Sequence, residues 1–200
     1  MSVERIQSLY GELAADERRN RLILDDVRSA LAAGRSPILL TERKDHLEFL
    51  AAGLQSAARD VVVLRGGMTP TERRTVATTL ASIPDGESRL LIATGRYIGE
   101  GFDDSRLDTL FLAMPVSWKG TLVQYAGRLH RLHPGKTEVR IYDYVDRDVP
   151  MLARMFEKRL RGYRAIGYAR DSGTSPRRKL DDALETYDLP EAQDEDRQEA

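Results

Sequence analysis

The 200-residue sequence predicts an α/β domain, a parallel β-sheet with helices on both faces. Short apolar runs recur from Ser36 onward, and segments of about 12 to 15 residues with helical spacing separate them. That alternation requires crossovers, because parallel neighbours cannot be joined by a tight turn and the crossover helix must pack back onto the sheet.

Before the sheet, DERRNRLILDDVRSALAAG (16 to 34) repeats apolar residues at helical intervals, so residues 1–35 form a helical lead-in. SPILLT (36 to 41) is a buried strand, RKDHLEFLAAGLQSAA (43 to 58) a helix, and DVVVLRG (60 to 66) a short β-branched strand. Thr69-Pro70-Thr71-Glu72 then combines a capping Thr, a Pro at the first helical position and a Glu three residues after the cap. That combination starts a helix running to about Ser82. Pro84-Asp85-Gly86 turns the chain into RLLIAT (89 to 94); LDTLFLAM (107 to 114) and TEVRIYDYV (137 to 145) are the fourth and fifth strands, with a helix between them. A last helix is expected in VPMLARMFEKRLRGYRAIGY (149 to 168). Its Arg154, Lys158, Arg159, Arg161 and Arg164 either extend a polyanion groove or form a solvated face over Leu152, Met155, Phe156 and Leu160.

The formal charge of −1 hides a division. Residues 171–200 carry ten acidic and four basic side chains, and the remainder 22 acidic and 27 basic, so the body is near +5 and can hold a polyanion. The acidic stretch has few apolar residues to bury and is expected to be a disordered tail, LDDALETYDL being compatible with a short docking helix. With no cysteine, no apolar run near the roughly 20 residues that span a bilayer, and charged residues close behind Met1, a cytoplasmic protein is expected, without a membrane partner.

One stretch offers two phosphate-binding patterns. In QYAGRLHRLHPGKT (124 to 137), Gly135-Lys136-Thr137 resembles the end of a P-loop, but a helix precedes it and a strand follows, the reverse of what aims backbone N–H groups at phosphates. A helix terminus closed by Pro134-Gly135 accounts for it. The other half places Arg128 and Arg131 three apart on a helix, with Gln124 one turn earlier and Gly127 allowing close approach. It follows a strand, and upstream the glycine-rich segment Ala93 to Asp103 leaves the carboxyl end of another strand, the edge where doubly wound sheets bind ligands.

In order along the chain, ILLTER (38 to 43), LRGGMTPTERR (64 to 74), LLIATGRYIGEGFDD (90 to 104) and QYAGRLHR (124 to 131) resemble four segments of one family. They are motif four, the glycine turn and helix after it, motif five and motif six of the second RecA-like domain of superfamily-two helicases. The branch is that of DEAD/DEAH-type DNA helicases and restriction translocases. The resemblance covers Ser36 to Val145 and implies a RecA-like helicase C-terminal domain over residues 36–170. It implies that Arg128 and Arg131 contact the γ-phosphate of ATP, one of them as the arginine finger, with Gln124 positioning them. Gly101 and Asp103 match the family's glycine and ribose-side acid, and Glu100 is the neighbour typical of this branch. Thr94, Thr41, Arg65 and Gly66 are implied to follow a nucleic-acid strand and contact its phosphates, DNA first and RNA also compatible. Arg65 departs from the pattern, since relatives often carry a His or another polar residue there.

The P-loop and the Asp-Glu pair that such chemistry needs are not in the sequence; Asp143 follows the arginine motif and is no substitute. ATP and Mg²⁺ are therefore expected to be held mainly by an N-terminal RecA-like ATPase domain. The chain is expected to be the C-terminal half of an ATP-dependent DNA helicase or translocase, inactive alone. Two alternatives stay open: a non-catalytic module of the same fold that binds nucleic acid or a helicase, and an unrelated nucleotide-binding enzyme using Gly99-x-Gly101, which lacks the third glycine. No metal site is expected, because His130 and His133 have no third ligand beside them.

Overall fold

The computed structural model describes residues 3–95, 104–116, 123–170 and 184–188. Helices α1 (Val3–Ala15) and α2 (Glu17–Ala32) precede β1 (Pro37–Thr41), α3 (Lys44–Leu54), β2 (Asp60–Leu64), α4 (Pro70–Ser82) and β3 (Arg89–Thr94). Then follow β4 (Thr109–Leu112), α5 (Val123–Leu129), β5 (Arg140–Tyr144), α6 (Pro150–Ala165), β6 (Ala169–Arg170) and β7 (Leu184–Asp188). The sheet order is β2-β3-β1-β4-β5-β7-β6, and its first five strands are parallel. This is the expected α/β architecture, a five-stranded parallel sheet covered by helices.

Side chains leave each strand alternately, so the two faces sort by parity. Ile38, Leu40, Leu91, Ala93, Leu110 and Leu112 pack with Leu80, Leu129 and Phe156 beneath α4, α5 and α6. Leu39, Leu90, Ile92 and Phe111 pack with Ile23, Val27, Leu47 and Leu50 of α2 and α3. Burial on both faces explains why β1 and β4 are apolar at nearly every position and not alternating. A third, smaller cluster joins Leu13 of α1 to Met114 and Leu152, which seats α1 over the carboxyl ends of β4 and β5.

The capping box at α4 is present in full. Thr69 Oγ1 accepts from the Glu72 backbone N–H at 3.2 Å, and Glu72 accepts from the Thr69 N–H at 2.7 Å. The acidic C-terminal stretch differs from expectation at residues 184–188, which pair antiparallel with β5, Arg140 opposite Asp188 and Tyr144 opposite Leu184. A strand stands there and not a helix. The outer edge of β5 presents a row of backbone donors and acceptors, and Leu184-Glu185-Thr186-Tyr187-Asp188 contains the Thr and Tyr that favour extended backbone.

Candidate functional site

The carboxyl ends of β1, β2 and β3 lie side by side. Thr41 and Thr94 are register partners across β1 and β3, and β2 pairs with the other side of β3, Leu64 opposite Ala93. The residues after β2, Arg65 and Gly66, are exposed, and Gly67 turns the backbone at φ +83, a region that favours glycine. Gly66 N–H donates to Thr94 Oγ1 at 2.9 Å. The hydroxyl of Thr94 is then the acceptor in that bond and keeps its own hydrogen for a second partner at the edge. The Gly66 N–H is committed, so this residue serves the site by fixing Thr94 and not through its own amide.

Thr41 differs from the role the resemblance implies. It is 1% exposed, and its hydroxyl lies 3.0 Å from His46 Nδ1 on α3. His46 Nε2 lies 2.8 Å from Asn20 Oδ1, while Asn20 Nδ2 donates to the Ala14 carbonyl. Those bonds assign the roles: Nε2–H donates to Asn20, and Nδ1 accepts from the Thr41 hydroxyl. Burial, with Arg19 adding to it, pushes the imidazole down to about 4, so it is neutral near pH 7. Thr41 thus pins the end of β1 to α2 and α3 from within.

Helix α5 carries the arginine motif. It begins on the carboxyl side of the sheet and runs down the face, ending at Leu129, earlier than the sequence suggests. Lys136 Nζ donates to the Leu129 and Arg131 carbonyls, each at 2.8 Å, and closes the helix. The lysine of the P-loop-like triplet is therefore a C-terminal cap. Burial depresses its ammonium, and Asp108 and Asp104 partly offset that. Arg131 sits in the turn after the helix, its N–H 3.5 Å from the Arg128 carbonyl, so the arginines occupy successive turns and not one continuous helical face. Arg128 is half-buried and adjoins Leu107 and Leu110, so the arginine end lies below the carboxyl edge, beside the start of β4. Gln124 lies in the first turn of α5; Glu100, Gly101 and Asp103 lie outside the described residues.

The two ends of the segment between β3 and β4 are both held. At its start, the buried Tyr125 hydroxyl donates to the Gly95 carbonyl at 2.7 Å. Past its other end, Arg89 binds Asp104 through two contacts of 2.6 and 2.7 Å, and Arg106 reaches the Leu80 and Ile83 carbonyls that close α4. Sequence reasoning missed Tyr125, although its spacing from Leu129 marks it as the inward side of α5. It also missed Arg159. That residue is not part of a solvated face: it is 1% exposed, bound twice to Asp143 at 2.6 and 2.8 Å, and donates to the Val116 carbonyl. Tyr163 donates to Asp143 as well, at 2.9 Å. Arg154, Lys158, Arg161 and Arg164 are exposed. Among the described residues no three His, Asp or Glu side chains gather as metal ligands.

A family model described as helicase conserved C-terminal domain matches residues 20–133. The protein named "Putative helicase 161L" of Invertebrate iridescent virus 6 is 31% identical over 169 residues, covering 80% of this chain; the chain spans 36% of that protein's length. Among solved structures, the C-terminal part of the Fun30 ATPase domain aligns over 67% of this chain and 43% of its own, with TM-score 0.56 and 15% identity. The C-terminal domain of the DEAD-box protein Dbp5 aligns over 72% of this chain and 78% of its own, with TM-score 0.53 and 19% identity. Both likenesses concern the fold.

Proposed function

The chain belongs to the helicase conserved C-terminal domain family, and from that premise we propose that it is the second RecA-like lobe of an ATP-dependent motor that moves on DNA. The observation that supports this best is a direct link between the two elements that carry the phosphate-directed residues, β3 and α5. Thr94, with a hydroxyl proton to give, stands beside Gly95, and the helix that carries Arg128 grips Gly95 through Tyr125. A hydroxyl at a strand end contacts phosphates without reading bases, which suits a motor that steps along any sequence.

In this function Thr94 and Arg65 hold the backbone of the strand, with Gly66 fixing Thr94 and Thr41 fixing the end of β1. Arg128 and Arg131 approach the γ-phosphate of ATP bound with Mg²⁺ on an N-terminal ATPase lobe, with Gln124 beside them and with Glu100, Gly101 and Asp103 on the ribose side. The bound nucleotide supplies the phosphoanhydride whose cleavage drives movement, and the guanidinium charges stabilise the transition state.

The test is ATP turnover. Alone, the chain should hydrolyse ATP negligibly with or without DNA, and robust turnover by the isolated chain would refute the proposal. In a protein containing both lobes, Arg128→Ala should lower DNA-stimulated turnover by about 10³-fold with the melting temperature unchanged. Retention of full turnover would remove Arg128 from the reaction.

A further inference from the structure

We infer that Tyr125 is a positioning residue that couples the nucleic-acid edge of the sheet to the arginine end of α5; this inference rests on the proposed function above. The coupling path is short and made of named contacts. Gly66 N–H is bonded to Thr94 Oγ1, Thr94 is joined covalently to Gly95, Gly95 O is bonded to Tyr125 Oη, and Arg128 is the next residue on the same side of α5.

Three observations carry it independently of one another. The hydroxyl bond is buried, 2.7 Å long and spans 30 residues of sequence, so it belongs to the tertiary structure and to no local turn. Two side-chain ends approach Gly95 closely: a Cβ on it would meet Tyr125 Oη at 2.8 Å and Glu42 Oε1 closer still. Glu42, from just after β1, and Tyr125, from the arginine helix, therefore meet at one glycine. Finally, the hydroxyl is influenced by charges from both sides, since burial first and then Glu42 raise the Tyr125 phenol while Arg128 lowers it. A displacement of the Thr94–Gly95 turn on binding a phosphate backbone moves the acceptor of this bond. The rigid turn of helix between Tyr125 and Arg128 carries that movement to the guanidinium.

The experiment compares the full 200-residue chain with its Tyr125→Phe variant, and with Tyr163→Phe as a control that also removes one buried hydroxyl from the same core face. Hydrogen exchange is followed in peptides spanning 90–95 and 123–129, with and without a fluorescein-labelled oligothymidylate. Tyr125→Phe should raise exchange about tenfold in both segments at once, with a melting temperature no lower than that of the control. The oligonucleotide should slow exchange in both segments of the wild type but only in 90–95 of the variant. Unchanged exchange in Tyr125→Phe, or protection of 123–129 that survives the substitution, overturns the inference. If the oligonucleotide fails to bind the wild type, the nucleic-acid function falls, whereas the exchange of the two unliganded segments still decides whether Tyr125 joins them.

Discussion

The carboxyl edge of the sheet has a closed half and an open half. Over β4 and β5, α1, α2 and α6 close the strand ends: Tyr10 donates to the Pro115 carbonyl, Arg19 to the Ala113 carbonyl, and Arg159 is locked onto Asp143. Over β1 and β2, Glu42, Arg65, Gly66 and Gly67 are exposed, and beside them Thr94 accepts from Gly66 while keeping a hydrogen to donate. The same kinds of residue serve opposite ends. Where the sequence supplies a helix and matched charges, the edge becomes core; where it supplies glycines and short polar side chains, residues such as Arg65 and Gly66 stay exposed. A site on such a sheet is defined as much by what covers its neighbour as by its own residues.

The largest stability effect should come from breaking the closed half. Asp143→Ala leaves Arg159 buried without its carboxylate and should cost about 3–5 kcal/mol, read by denaturant or thermal unfolding. Replacing both, as Asp143→Leu with Arg159→Met, should recover most of the loss, since a well-packed apolar pair removes the unmatched charge as well as the bond. If the single variant melted like the wild type, the pair would not be what closes this half. The signal for Arg159 was in the sequence: Leu152, Phe156, Arg159 and Tyr163 recur at helical spacing and are all buried. Charge alone placed it outside. The element order from α2 to α6, the parallel sheet and the capping box were legible because each follows from local spacing or turn chemistry. The Arg159–Asp143 pair, the Tyr125–Gly95 bond and the Thr41–His46–Asn20 chain were not, because each joins residues whose proximity exists only once the sheet is assembled.

The boundary between the halves is pH-sensitive through His46. Its pKa is about 4 in the folded chain and about 6.5 when unfolded, so the unfolded state takes up the proton first as pH falls. The stability it contributes is complete above about pH 6.5 and is lost progressively toward pH 4, on the order of 3 kcal/mol in all. Unfolding free energies measured between pH 4 and 7 should show this slope, and His46→Gln should flatten it. An unaltered slope in the variant would assign the pH dependence to other groups.

On the open half, the same kind of change should alter binding and leave folding intact. Thr94→Ala removes a half-buried hydroxyl, and its expected effect is about a tenfold weaker hold on single-stranded DNA, read by fluorescence anisotropy at fixed salt. The stability change should be about 1 kcal/mol, the worth of the one bond from Gly66 that is lost. A large loss of stability with unchanged binding would invert the comparison and make this half structural too.

The smallest effect concerns the turn that feeds the open half, and it separates local from tertiary contributions. Thr69 and Glu72 satisfy each other's backbone N–H groups at the start of α4, immediately after the glycine turn that carries Gly66. The box is exposed, so its worth comes from backbone donors that would otherwise turn to water, and Thr69→Ala should cost about 1 kcal/mol. Glu72→Gln keeps an acceptor at the same position and should cost less, because the amide oxygen can still receive the Thr69 N–H. If α4 only caps its own end, DNA affinity should survive both substitutions. If the box also presets the turn from Leu64 to Thr69, affinity should fall in step with the loss of the cap, Thr69→Ala more than Glu72→Gln. Anisotropy and unfolding measured on the same two variants distinguish these outcomes, and with them whether the open half is held in shape by its own local chemistry or by the sheet beneath it.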